Sequence, residues 1–213
     1  MKLHELLSYL LKESTQFDIE EFKKLKTPKD ILEYAKKRLE ELGQGSRIVF
    51  KYSDSYALKV AAIDEKSKQG IDQNKAEYTV GINATDSNIL PQVQENHHPN
   101  FIWIMTELVE PIKNWNEFRQ LTGLDEDDML DITDEISLLM GDGMVTQFGP
   151  YVPNEELLKS NLAQEMLKLT KYHKVSPSDM RGIRQWGKTK DEDSRVVLLD
   201  SGGTYEVLKK HQI

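Results

Sequence analysis

Leu3, Leu6, Leu7, Leu10 and Leu11 recur at the three-and-four spacing of one helix face, and Ile31, Tyr34, Ala35, Arg38, Leu39 and Leu42 nearly repeat it after Thr27-Pro28. These stripes predict helix up to Leu42, the second started by a capping Thr27 with Pro28 in the first turn. Such a stripe either packs against the rest of the chain or docks a partner helix. From Ser46 the period falls to two. Ile48, Phe50 and Tyr52 alternate up to Ser53-Asp54-Ser55, and Tyr56, Leu58 and Val60 resume beyond it, which predicts a β-hairpin. Gln73 to Ile82 reads as a short helix. Ile89 to Gln94 and Phe101 to Leu108 read as strands, with a turn at His97-His98-Pro99-Asn100.

After Val109-Glu110-Pro111 the helical period takes over, at Trp115 to Leu121, Asp128 to Met140 and Glu155 to Tyr172. Gly141-Asp142-Gly143, Pro150 and Pro153 interrupt it. Arg195 to Leu199 is a last apolar strand that ends on Asp200 and the turn Ser201-Gly202-Gly203. The pattern as a whole predicts an α+β chain: helices, a small antiparallel sheet with one inserted helix, then a mainly helical half.

Composition narrows what such a chain does. At 213 residues it folds as one domain or two small lobes, and no staple is required. Cysteine is absent, which removes disulfides, thiolate metal sites and cysteine nucleophiles. Lysine and arginine number 28 against 36 acidic residues, a formal charge of −8 that opposes binding to nucleic acid. His4 and Glu5 interrupt the only N-terminal stretch that resembles a secretion signal, and no run approaches about 18 consecutive apolar residues. The expectation is a soluble, cytoplasmic protein with no membrane partner.

Four features carry chemistry. Gly43 and Gly45 precede a strand and would let backbone N–H groups approach phosphate oxygens, although Gly43 also makes a good helix stop. Lys59 lies between Leu58 and Val60; facing inward it needs a charged partner or ligand, facing outward it is simply solvated. Glu77, on the helix that follows, would supply the carboxylate. Asp200 stands at a strand end where the chain turns, a place for a metal ligand or for an aspartate capping a turn. His97-His98 with Glu95, His173, and the acidic run Asp125-Glu126-Asp127-Asp128 to Asp131 and Asp134-Glu135 fit no metal or catalytic spacing. They read as a turn, a lone histidine and a solvated helix start. Trp103, Trp115 and Trp186 read as packing, with Trp186 the candidate to line a cleft.

At these residues the chain resembles the protein-kinase-like superfamily, closer to its compact small-molecule and atypical kinases. It is also similar to the small kinase-like proteins of tailed bacteriophages, over Leu58-Lys59-Val60-Ala61, Gln73 to Glu77, Thr106 to Pro111, Glu117 to Gly123 and Val197 to Gly202. The resemblance implies a minimal two-lobed fold: a helical extension over 1–42, an N-lobe over 43–110 and a reduced helical C-lobe over 111–213. It implies a nucleotide site for ATP and Mg2+. Lys59 contacts phosphate, Glu77 holds Lys59, Glu107 to Glu110, with Glu107 and Val109, form the hinge beside adenine, and Asp200 binds magnesium. Asp179 would be the catalytic base and Gln185 would stand where an asparagine ligand is expected. The His-Arg pair that precedes such a base is missing, and only thirteen residues follow Asp200. The implied function is an ATP-dependent phosphotransferase. The alternatives are a pseudokinase acting as a phage interaction or structural module with a host or phage protein partner, in host cytoplasm or virion, and a nucleotidyl transferase.

Overall fold

Thr27 and Pro28 start a helix where the pattern places one. Thr27 Oγ1 accepts from the Asp30 N–H at 3.1 Å, Pro28 opens the first turn, and Lys36, Lys37 and Arg38 close the last, where the helix dipole favours cations. The computed structural model describes residues 17–63, 67–141, 156–191 and 194–211. The leucine stripe from Leu3 to Leu11 lies outside them, as do Asp142, Gly143, Pro150 and Pro153. The described chain divides into two compact units. One runs to Asn74 and takes in Gln94–Thr106; the other comprises Lys75–Val93 and the chain from Glu107 onward.

In the first unit, α1 (Ile19–Lys24) and α2 (Pro28–Arg38) precede β1 (Glu40–Gln44), β2 (Arg47–Lys51) and β3 (Tyr56–Ala61). Helix does not continue to Leu42, as the stripe predicts. The chain leaves it at Leu39, whose backbone is extended, and Glu40 to Gln44 pairs antiparallel with β2 across a bulge between Glu41 and Gly43. With β4 (Val93–His97) and β5 (Trp103–Glu107) these strands form a sheet in the order β1-β2-β3-β5-β4. One face of β2 and β3 offers Ile48, Phe50, Leu58 and Val60 to Phe22, Ile31, Tyr34 and Trp103, all of one buried cluster. Truncating a residue such as Phe22, fully buried there, costs about 3–5 kcal/mol.

Between β3 and β4 runs α3 (Ser67–Asn83), longer than its sequence pattern. The turns added before Gln73 bury only Gly70, so apolar spacing does not mark them. Asn74, fully buried, donates to the carbonyls of Phe101 and Ile102 at 2.9 and 3.2 Å and accepts from Arg47 Nη1 at 3.2 Å. A buried amide so satisfied pins a helix, because a lost partner leaves a desolvated polar group.

The second unit packs α4 (Trp115–Thr122), α5 (Glu126–Leu139), a 3-10 turn (Leu157–Lys159), α6 (Asn161–His173), α7 (Pro177–Met180) and α8 (Tyr205–His211) with a three-stranded sheet. That sheet is β6 (Glu110–Pro111), β7 (Trp186–Lys188) and β8 (Val196–Leu198). Its core holds Phe118, Met129, Ile132, Ile136, Met166 and Trp186. The single helix expected from Glu155 to Tyr172 is broken at Ser160, whose hydroxyl caps α6 by accepting from the Ala163 N–H at 3.1 Å. Ile89 to Gln92 is not strand. Ile89 and Leu90 are core residues in a turn and bend, and the Ile89 carbonyl accepts from the Leu198 N–H at 2.8 Å. Among the described residues no helix is long and apolar enough to cross a membrane.

Candidate functional site

The sheet register builds the lysine's surroundings. Gly43 pairs with Val49, and Val49 pairs with Lys59, so the three make one cross-strand row. Residues paired in this way project to the same face of a sheet, with neighbouring strands about 5 Å apart. Leu58 and Val60 occupy the opposite, core face, yet Lys59 is only 6% exposed. The solvated alternative for Lys59 is therefore excluded, and a buried ammonium requires charged or polar company. Gly43 and Gly45 are exposed, no neighbour approaches the place where a Cβ would stand, and neither has a left-handed φ. They lie in and beside a hairpin, not at a helix stop. Gly45 N–H donates to the Arg47 carbonyl at 2.8 Å.

Glu77 is 2% exposed and stands three residues after Asn74, on the same face of α3. Glu107, at the end of β5, has its carboxylate engaged: the Gln92 N–H donates to it at 3.1 Å and Arg195 lies at 3.4 Å. Val109 follows before β6, its side chain against Gly187 of β7.

The second unit brings two sequence candidates together. Ser176 is followed by Pro177, which opens the short α7, and the Asp179 N–H donates to the Ser176 carbonyl at 3.1 Å. Asp200 follows β8, and its Oδ1 accepts from the Gly202 N–H at 2.9 Å, so this aspartate does cap its own turn. The strands are drawn to one place by backbone bonds. Ser176 N–H donates to the Gly203 carbonyl at 2.9 Å, Tyr205 N–H to the Lys174 carbonyl at 3.0 Å, and Val175 bridges Thr204. The result sets Asp179 within electrostatic reach of Asp200. Burial first, and then the negative charge of Asp200, raise Asp179 from the ordinary 3.8 to about 6. Gln185 joins them through the chain: its carbonyl accepts from the Leu199 N–H at 2.7 Å, one residue before Asp200.

The rival features resolve into structure. His97 stacks on Phe101 at 4.8 Å, and His98 accepts the Asn100 N–H at its Nδ1, closing the turn between β4 and β5. Asp125 and Asp128 form a capping box at the start of α5. His173 is the last residue of α6. Trp186 does not line a cleft. It is fully buried, edge-on to Phe118 at 5.6 Å, with Nε1 donating to the Met180 carbonyl at 2.8 Å. Spacing alone did not disclose Gly203, whose Cα lies against the Asp179 carboxylate. Among the described residues no group of three or more histidine or acidic side chains is placed to hold a metal by itself. No family model, curated protein or solved structure matches the chain.

Proposed function

We propose that this chain is a kinase-like protein that binds ATP and magnesium and transfers a phosphoryl group to an acceptor. The convergence of Asp179 and Asp200 carries the reading: two carboxylates distant in sequence, Asp179 with its pKa raised to about 6 and Asp200 just past the end of a strand. The row from Gly43 through Val49 to Lys59 supports it, since a glycine two strands away on the same face as a buried lysine suits phosphate. Glu77, buried on the helix after that strand, has the chemistry to hold the lysine.

Magnesium is bound by one or two carboxylates together with waters and substrate phosphates, so Asp200, with Asp179 beside it, is a fitting donor set, and Gln185 is tied to the residue before Asp200 by its backbone carbonyl. The ion, when bound, neutralises charge on the phosphate oxygens. Lys59 has the charge to orient phosphate oxygens. Asp179, ionised at neutral pH but more basic than an ordinary carboxylate, accepts the proton of the acceptor hydroxyl.

The test is thermal melting with and without millimolar ATP and magnesium, beside Lys59→Met and Asp200→Asn. A ligand at one hundred times its Kd adds about 2.7 kcal/mol. The wild type is expected to shift and both variants to lose the shift. The second reading, a pseudokinase that serves as an interaction module, draws on the turn bond that already engages Asp200 Oδ1. No shift in the wild type would favour it.

A further inference from the structure

Gly203 has no left-handed φ, so its backbone does not call for glycine; its surroundings do. A Cβ on this residue would stand 1.3 Å from Asp179 Oδ2, 2.4 Å from its Cγ and 3.2 Å from its Cβ. All three close approaches are to one side chain. Neither backbone is placed to retreat. The Gly203 carbonyl is held by the Ser176 N–H at 2.9 Å, with Thr204 and Tyr205 tied to Val175 and Lys174 beside it. Asp179 is held by its N–H bond to Ser176 and by the Trp186 indole on the Met180 carbonyl.

We propose that Gly203 is a positioning residue: the space left by its missing side chain is the seat of the Asp179 carboxylate and sets that carboxylate beside Asp200. The stretch from Asp200 to Gly203 then supplies one carboxylate through a side chain and places the other by lacking one. Seating a carboxylate against backbone costs desolvation, which an alanine at 203 with a smaller residue at 179 would avoid. The bearing of this seat on phosphoryl transfer rests on the function proposed above; the seat itself does not.

The experiment compares wild type, Gly203→Ala, Asp179→Ala and the double variant in metal-free buffer. In the wild-type background Gly203→Ala is expected to lower Tm by roughly 3–10 °C, the range for an overpacked site. In the Asp179→Ala background the same change is expected to cost less than half as much, because both carboxylate clashes are gone and only the 3.2 Å approach to the Cβ of residue 179 remains. A single variant that fails to fold while the double variant folds supports the seat; equal losses in both backgrounds overturn it. Carboxyl 13C NMR on aspartate-labelled protein adds a readout that general destabilisation does not produce. The Asp179 line, identified by its loss in Asp179→Ala, is expected to move in Gly203→Ala while the Asp125 line stays, and an unmoved Asp179 line overturns the proposal. Added Mn2+ separates the two claims. Selective broadening of the Asp179 and Asp200 lines in the wild type supports the metal site. No broadening alongside a non-additive pair of variants keeps the seat and removes the metal reading.

Discussion

The second unit contains two groups of aspartates that look alike on paper and behave differently in space. At the start of α5, Asp125 accepts from the Asp128 N–H at 3.2 Å and Asp128 accepts from the Asp125 N–H at 2.9 Å, while Asp134 pairs with Arg181. Each of these carboxylates meets a donor, and the helix dipole adds to their stability. Asp179 instead meets burial and another carboxylate. The denser run is structural, and the sparse pair carries the unusual chemistry. Charge density along a chain measures solvation; convergence of like charges against a cost measures use.

That contrast can be broken most forcefully at Asp200. Asp200→Asn is expected to erase the full ATP- and magnesium-dependent stabilisation, about 2.7 kcal/mol at one hundred times Kd, whereas Asp127→Asn leaves it intact. Melting curves with matched ligand decide this, and an equal loss in both variants would dissolve the distinction.

Asp179 gives the next effect, with a sign opposite to most mutations. Its folded value of about 6 lies above the ordinary 3.8, so between those values the folded chain binds more protons than the unfolded one. Stability therefore falls as pH rises from about 4 to about 6 and stays lower above that. Asp179→Asn is expected to raise Tm at pH 8 in the absence of metal, by an amount tempered by partial solvent screening, and to lose this advantage below pH 4. Melting at a series of pH values tests it, and a variant less stable than wild type at pH 8 would contradict it.

At the other acidic group the sign reverses. Asp125→Ala removes a cap and is expected to cost about 1 kcal/mol, or roughly 2–4 °C, with the response to ATP unchanged. Asp127→Asn, in the same first turn, is expected to stay within about 0.5 kcal/mol of wild type by chemical denaturation.

Where burial follows period, the sequence is legible. The hairpin around Ser53-Asp54-Ser55 is found within a residue or two of its pattern, and the helix after Thr27 starts where its pattern does, because Ile48, Phe50, Leu58 and Ile31 mark a buried face. β1 is not legible for the converse reason. All five of its residues are exposed, and its strand state comes from pairing with β2. The first turns of α3 escape notice because their one buried position is Gly70, which carries no apolar side chain to mark the face. Ile89 and Leu90 mislead in the other direction: two core residues in a loop imitate a strand. The candidate site divides in the same way. Lys59 is conspicuous because a charge interrupts an apolar strand, and Asp200 because it ends one. The meeting of Asp179 with Asp200 depends on the bridge at Val175 and Thr204, which no local spacing encodes.

The hydrogen bond from Leu198 to the Ile89 carbonyl has a consequence for biosynthesis. A ribosome adds about 5–20 residues per second, so Ile89 waits on the order of ten seconds before its partner is made. Through that interval Ile89 and Leu90, both core residues of the finished unit, lack the strand that covers them. The nascent second unit thus passes through a stage with unburied apolar surface, open to a chaperone, and the carboxylate pair comes into being only after Gly203 has left the exit tunnel.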